Sequence, residues 1–264
     1  MVAVVEVYDQ VEAYEVAFSY RDVPAEVDVL TAWYHRHTTG RLERALELAA
    51  GPGDHALELA RRGLAVTALD RNPSMCRRAA ERARMERLNL TVACADMTAF
   101  VVDDTFDLAL LMLDSAAHLL TLDAFTSMLA ATARHTRLGG MLICEMSHPA
   151  DFLTVDRRTN TEWETTREDV TVRLRWGTTS DEFDPITQVQ QTHVRLEICR
   201  AGQPPQVREE VVAERRWTAT EVDAAVRLSG EWETVACYGA LRADQPFDND
   251  DASWRMIHIL RRCP

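Results

Sequence analysis

A glycine pair, three acids and one histidine carry the chemistry this sequence offers. Gly51 and Gly53 flank Pro52 directly after a short apolar run, Ala45-Leu-Glu-Leu-Ala-Ala50. A glycine turn lets bare backbone approach a ligand. Asp54-His-Ala-Leu-Glu-Leu-Ala-Arg-Arg62 then reads as a helix that opens with Asp54 near its cap. Strand, turn and helix N-terminus together make a nucleotide-binding corner. Asp70 ends the next strand-like run, about 20 residues past the glycines, where a carboxylate can accept hydrogen bonds from ribose hydroxyls. Asp96 and Met97 follow a third run, Val92-Ala-Cys-Ala95, where an acid can accept from an adenine amino group. His118 follows a fourth, Phe106-Asp-Leu-Ala-Leu-Leu-Met-Leu113, and can serve as a base near neutral pH.

Two cofactors compete for the corner. Gly51-x-Gly53-x-x-Ala56 formally satisfies the dinucleotide fingerprint. Glu47, inside the strand before the turn, favours the other candidate. A carboxylate there suits a sulfonium and an amino-acid ammonium, as in S-adenosylmethionine, and repels a pyrophosphate.

The elements that must position these residues alternate. Strands are expected near 45–49, 65–69, 91–94, 107–113 and 140–146, separated by helical stretches. That order argues a parallel sheet between helices, with the ligand beyond the carboxyl ends of the strands. Before it, residues 1–40 read as a mostly helical segment, with Glu26–Tyr34 at helical spacing. After it the period becomes two, over 170–176, 187–198 and 206–217, with turns at Asp184-Pro185 and Gly202-Gln-Pro-Pro205. This predicts about three antiparallel strands with one wet face. Thr218-Ala-Thr-Glu221 carries a capping-box pattern and starts a helix. Trp232–Tyr238 and Trp254–Leu260 supply two last strands around the acidic loop 244–251.

Residues 42–146 resemble the core of class I S-adenosylmethionine-dependent methyltransferases. Glu47, Ala49, Gly51 and Gly53 match the first motif, (D/E)-x-(G/A)-x-G-x-G. Asp70 matches the ribose acid, Asp96 and Met97 the adenine-side motif, and Arg137-Leu-Gly-Gly140 the turn into the fifth strand. The resemblance implies an α/β fold: a Rossmann-like seven-stranded methyltransferase sheet with a small antiparallel β insert acting as lid. The expected units are an N-terminal helical lid segment (1–40), the cofactor-binding core (41–150), the insert (151–217) and a C-terminal completion of the core (218–264). The implied cofactor is S-adenosyl-L-methionine, giving S-adenosyl-L-homocysteine, without a metal. Arg71, Met75 and Leu113 join the motif residues as the expected cofactor contacts.

Looser matches point to a small-molecule subgroup that acts on amino sugars or glycine-like amines. They lie at Tyr14–Glu26, Asp114–Leu119, Arg215–Thr218 and Tyr238-Gly239. A protonated amine must lose a proton before it attacks, so a base helps. His118 and Tyr14 are the candidate catalytic residues, His118 as the base, and Tyr14 and Tyr20 are candidates to close the pocket. Tyr20, Glu145, His148 and Arg175 are candidate substrate contacts. Arg173, Arg175, Arg215 and Arg216 fall on the expected lid, where inward-facing guanidiniums would favour an anionic acceptor. His35 and His37 are read as a solvent-facing helix end. His55 is read as a possible cofactor contact, with capping or surface exposure the commoner outcome. Oxygen or carbon acceptors stay open, as does a regulatory protein that binds the cofactor without turning it over.

Composition narrows the field. The 264 residues include 29 basic residues, all arginine, so Schiff-base and P-loop lysine chemistry are out. The formal net charge of −13 argues against nucleic acid as the main partner. Six cysteines without a C-x-x-C pair fit a reduced compartment. The opening Met1-Val-Ala-Val-Val-Glu6 lacks the basic end and long apolar run of a secretion signal, and no run reaches membrane-spanning length. The expectation is a cytoplasmic enzyme with a small-molecule substrate, no nucleic-acid or membrane partner, and a possible homodimer. The lid and arginine bias suggest bacterial specialised metabolism by analogy.

Overall fold

The computed structural model describes residues 7–154 and 161–264. Residues 1–6 and 155–160, which the expected N-terminal segment and insert include, lie outside the described residues.

The chain starts with a short 3-10 helix, Val7–Asp9, then α1 (Val11–Ala17) and α2 (Val23–His37). Asp22 caps α2 by accepting from the Ala25 N–H, and Pro24 sits in its first turn, so the helix starts before the expected Glu26. The core follows as β1 (Arg44–Leu48), α3 (Asp54–Arg61), β2 (Ala65–Asp70), α4 (Pro73–Glu86), β3 (Leu90–Cys94), β4 (Phe106–Leu111), α5 (Leu122–Arg134) and β5 (Thr136–Ser147). A single-turn helix, α6 (Ala150–Leu153), leads to the insert: β6 (Glu162–Arg167), β7 (Val170–Trp176), β8 (Phe183–Asp184), β9 (Val189–Arg200) and β10 (Gln206–Arg215). Helix α7 (Ala219–Ser229) and strands β11 (Trp232–Tyr238) and β12 (Arg255–Arg262) close the chain. The Thr218–Glu221 capping box is present at the start of α7.

The large sheet has seven strands in the order β11-β12-β5-β4-β1-β2-β3. Pairings from β5 to β3 are parallel, and β12 runs antiparallel to both its neighbours. This is the Rossmann-like methyltransferase arrangement that the motifs implied. Strand alternation sends Leu46, Leu48, Ala109 and Leu111 into one apolar layer with Phe125, Leu129, Val222 and Val226 of α5 and α7. Ala45, Leu108 and Leu110 point the other way, onto Leu30 and Trp33 of α2 and Leu59 of α3. Each such large side chain, fully buried, contributes roughly 1.5–3 kcal/mol. Trp33 also stacks on Tyr238, ring centroids 4.3 Å apart, and donates its indole N–H to the Ala243 carbonyl.

The insert is a second sheet in the order β10-β9-β7-β6, with β8 paired to β9. Val172, Leu174, Val194, Leu196 and Ile198 bury one face against Ala13, Val16 and Ala17 of α1. Arg173 and Arg195 lie on the opposite, wet face, paired with Glu164, Glu197 and Glu209. The sequence pattern predicts about three strands and misses β6 and β8. In β6, Glu-Trp-Glu-Thr-Thr-Arg, the single large apolar side chain, Trp163, gives too little alternation to register. Helix α1 is thus held between the insert and α4. On its far side Glu15 accepts from Arg78 Nε of α4 at 3.0 Å from each carboxylate oxygen.

Candidate active site

Strand order reverses between β1 and β4, which leaves a crevice at their carboxyl ends. One cavity of about 1280 Å³ occupies this position, lined by residues that follow β1, β2, β3, β4 and β5 in turn. Its near wall is backbone and acid. Ala49 and Gly51 line it in left-handed conformations, φ 48° and 55°. A Cβ on Gly51 would meet nothing within 4 Å, so this glycine leaves open space on the cavity side. Gly53, φ 81°, serves packing instead, because its Cβ would stand 3.3 Å from Ala79 Cβ and its absence lets α4 come close. Asp70 braces the turn by accepting from the Gly51 and Asn72 N–H groups, both at 2.7 Å. Burial holds its carboxyl above the usual range, against the pull of those two amides. Asp96 is exposed and accepts from the Thr98 hydroxyl and N–H, which keep it below the usual range.

The far wall begins where β4 ends. Leu113 and Asp114 take positive φ in succession, 55° and 58°, a conformation that costs an ordinary L-residue on the order of 1–2 kcal/mol. Neighbouring β5 holds them in place. Glu145 accepts from the Leu113 N–H at 2.9 Å, and Asp114 accepts from the Ser147 N–H at 2.9 Å. The reversed backbone launches the 3-10 turn Ser115–His118 and brings His118 to the cavity. Trp217 pins that turn from the next element, donating its indole N–H to the Ala116 carbonyl at 3.0 Å. His118 Nε2 lies 3.0 Å from the Tyr8 hydroxyl. Burial pushes the imidazole below its usual range, while the nearby Glu214 carboxylate opposes that shift. Glu214 is itself buried and accepts from Trp176 Nε1 at 3.0 Å, the Thr192 hydroxyl at 2.6 Å and Arg216 at 3.0 Å.

Aromatic rings form the roof. Tyr8, Tyr14, Phe18, Tyr20 and Trp163 follow one another with centroids 4.5–6.5 Å apart, and all line the cavity. Trp163 ties the roof to the insert by donating to the Ala17 carbonyl at 2.8 Å. Burial pushes the Tyr14 phenol well above its usual range, so it stays protonated.

Of the residues singled out from sequence, Tyr14, Tyr20, Ala49, Gly51, Asp70, Arg71, Met75, Asp96, Met97, Leu113, His118 and Arg175 line the cavity. Glu47, Gly53, Glu145 and His148 stand behind its wall. Glu47 is buried and spends both oxygens on the protein: Oε1 lies 2.9 Å from His55 Nδ1, and Oε2 accepts from the Ala56 N–H at 2.8 Å. Glu145 also pairs with Arg255 at 3.1 Å. His148 accepts from the Ala150 N–H on Nδ1, and its Nε2 lies 3.0 Å from the Asp248 carbonyl, which clasps the acidic loop.

One reading needs correction. His55 is neither a surface residue nor a simple cap. It is 2% exposed and sits between Glu47 and Glu26, 3.0 Å from the latter, with Arg21 alongside. The two carboxylates outweigh burial and raise the imidazole to about 9. Arg21 and Glu26 are themselves ion-paired, so this buried cluster locks the entry to α2 onto the glycine turn. Arg175 reaches the cavity rim from the sheet face that carries Arg173 and Arg195, opposite Trp176. Arg216 is the inward lid arginine, and Glu214 engages it. Sequence patterns miss Tyr8, Trp163, Trp176, Glu214 and Arg255. Trp176, Glu214 and Arg255 lie in runs read as strands, but periodicity does not say which side chains reach a cavity; tertiary packing decides that.

Among the described residues no group of three or more His, Cys, Asp or Glu side chains could hold a metal, and no helix is long and apolar enough to cross a membrane. Residues 45–140 match the family model described as a methyltransferase domain. Over that stretch the chain is similar to methyltransferase domains. Solved structures show the same fold over nearly the whole chain. An S-adenosylmethionine-dependent methyltransferase from Clostridium acetobutylicum is 16% identical, with a TM-score of 0.77 over 95% of this chain and 96% of that one. The sugar N-methyltransferase KedS8 from a Streptoalloteichus species is 20% identical, with a TM-score of 0.73 over 98% and 94%. CalS10 from Micromonospora echinaspora, an amino pentose methyltransferase involved in calicheamicin biosynthesis, is 20% identical, with a TM-score of 0.70 over 97% of both chains. No curated protein matches in sequence.

Proposed function

We propose that the protein methylates an amine nitrogen of a small molecule, with His118 as the base. The observation that carries this reading is the setting of His118: it opens onto a cavity whose lining holds eight carboxylates against four guanidiniums. An excess of carboxylates draws in an ammonium ion and disfavours a polyanion.

The residues present fit S-adenosylmethionine. Gly51 offers an open cradle, and Asp70 and Asp96 present acceptor oxygens at successive strand ends. In this reading Asp70 takes the ribose hydroxyls and Asp96 the adenine amino group. Ala49 and Gly51 support the methionine end, and Arg71, Met75, Met97 and Leu113 pack around the nucleoside. Glu47 acts from behind, by holding the turn through the Ala56 N–H and His55. When bound, S-adenosylmethionine supplies an electrophilic methyl group on a sulfonium.

The chain's own residues do the rest. His118 is neutral at pH 7 because burial lowers its affinity for a proton, so its free lone pair can accept one from the ammonium. Glu214 and Asp114 then stabilise the imidazolium that forms. Tyr14, protonated throughout, offers a hydroxyl beneath the aromatic roof, and the roof limits water around the reacting atoms. The likeness to KedS8, a sugar N-methyltransferase, and CalS10, an amino pentose methyltransferase, supports a sugar amine or related natural-product amine as the acceptor.

The test is release of S-adenosylhomocysteine with a panel of amino sugars and small primary and secondary amines, run beside their hydroxyl counterparts. Turnover confined to amines, abolished in His118→Gln, supports the proposal. Equal turnover of the hydroxyl series, or an unaffected His118→Gln enzyme, overturns it.

A further inference from the structure

We infer that Tyr8 is a positioning residue for the base: its hydroxyl engages Nε2 of His118 and so directs Nδ1 to the acceptor amine. This rests on the reading of His118 given above.

The geometry is direct. Tyr8 Oη lies 3.0 Å from His118 Nε2, and the two rings meet edge to face with centroids 5.8 Å apart. Among the described residues no protein group bonds Nδ1, and that atom is not sealed from the cavity as a buried unpartnered nitrogen would be. Which imidazole nitrogen carries the proton is set by the hydrogen bond the other makes. For Nδ1 to act as base, Nε2 must hold the hydrogen and donate it to the Tyr8 oxygen. The phenol suits the part, since burial, Tyr14 and the Glu214 and Glu210 carboxylates keep it from ionising. Glu214, Asp114, Asp70 and Arg71 also face His118, and none of them is within hydrogen-bond distance of its ring.

Tyr8 is placed by three anchors, two on the insert sheet and one at the start of α4. The Val7 N–H donates to Glu210 Oε2 of β10 at 2.7 Å. Asp9 accepts from Asn72 Nδ2 at the start of α4, 3.0 Å away. The Tyr8 ring itself meets Trp176 of β7 with centroids 6.0 Å apart. The base is therefore aligned only when the N-terminal segment is seated on both the cofactor core and the lid.

The experiment uses the full chain saturated with S-adenosylhomocysteine and labelled with 15N-histidine. The His118 signals are assigned by their loss in His118→Gln. The expected result is an Nε2-protonated tautomer in the wild type and a mixed tautomer in Tyr8→Phe. The Tyr8→Phe protein keeps its affinity for S-adenosylhomocysteine within about twofold, which shows that it is folded. With an amine acceptor, Tyr8→Phe should lose about tenfold or more in kcat, with KM for S-adenosylmethionine unchanged. An Nδ1-protonated wild type, or a Tyr8→Phe protein with the wild-type tautomer and kcat, overturns the inference. If His118→Gln retains activity, the base assignment has failed instead.

Discussion

The two ends of the cavity are built in different ways. The end proposed for the cofactor is made by three consecutive strand–turn units, and its decisive groups are a glycine without a side chain and carboxylates at or just past a strand end. The opposite end, proposed above for the acceptor, is made by side chains from residues 8, 14, 118, 163, 176, 214 and 216, which meet only because the insert folds back over α1. The first kind of site is local and tolerant of composition elsewhere. The second depends on every element that seats the roof. A shared fold can therefore conserve the methyl donor while the acceptor changes.

If the two ends are separable, substitutions should affect one without the other. The largest effect is expected for His118→Gln, a loss of about 10²–10⁴ in kcat with S-adenosylhomocysteine affinity preserved within about threefold by calorimetry. A parallel loss of affinity would show that the ends are not separable. Asp70→Ala is the converse. It strips a partner from the Gly51 and Asn72 amides, and should weaken S-adenosylhomocysteine binding by about 100-fold, roughly 2.7 kcal/mol.

Two buried histidines sharpen the comparison through pH. His55, raised to about 9 against an ordinary 6.5, adds stability that is fully present below about 6.5 and is lost as pH climbs through 9. His258 on β12 behaves oppositely: burial lowers it to about 4, so stability falls as pH drops below 6.5. Denaturant titrations should show a maximum near pH 6.5–7, with His55 worth on the order of 2–3 kcal/mol between there and pH 10. His55→Gln should flatten the alkaline limb and His258→Leu the acid limb. A limb that persists in its variant refutes that assignment.

Smaller effects test the margins. Ala49→Gly removes an alanine from left-handed backbone at the cofactor turn, and should raise stability by up to about 1 kcal/mol without changing turnover. Arg173→Ala, on the wet face of the insert, should leave melting temperature, cofactor affinity and kcat unchanged.

Much of the fold is legible in the amino-acid order, because alternation and glycine turns report local geometry. β2 spans Ala65–Asp70 where 65–69 is expected, and β3 spans Leu90–Cys94 where 91–94 is expected. Polar residues near the turn are harder to read. Glu47 suggests a direct cofactor contact, yet the structure spends it on His55 and the Ala56 amide. A sequence shows that a carboxylate is near a ligand corner, but not which donors reach it first.

The amino-acid order by itself determined the class of fold and the strand-end residues that build the near wall of the cavity. Those features depend on neighbours a few residues apart, where chain geometry leaves few choices. Tertiary structure alone decided which side chains form the far wall of the cavity, such as Tyr8 against His118 across 110 positions. Contacts at that separation follow from how whole layers pack, and no local pattern encodes them.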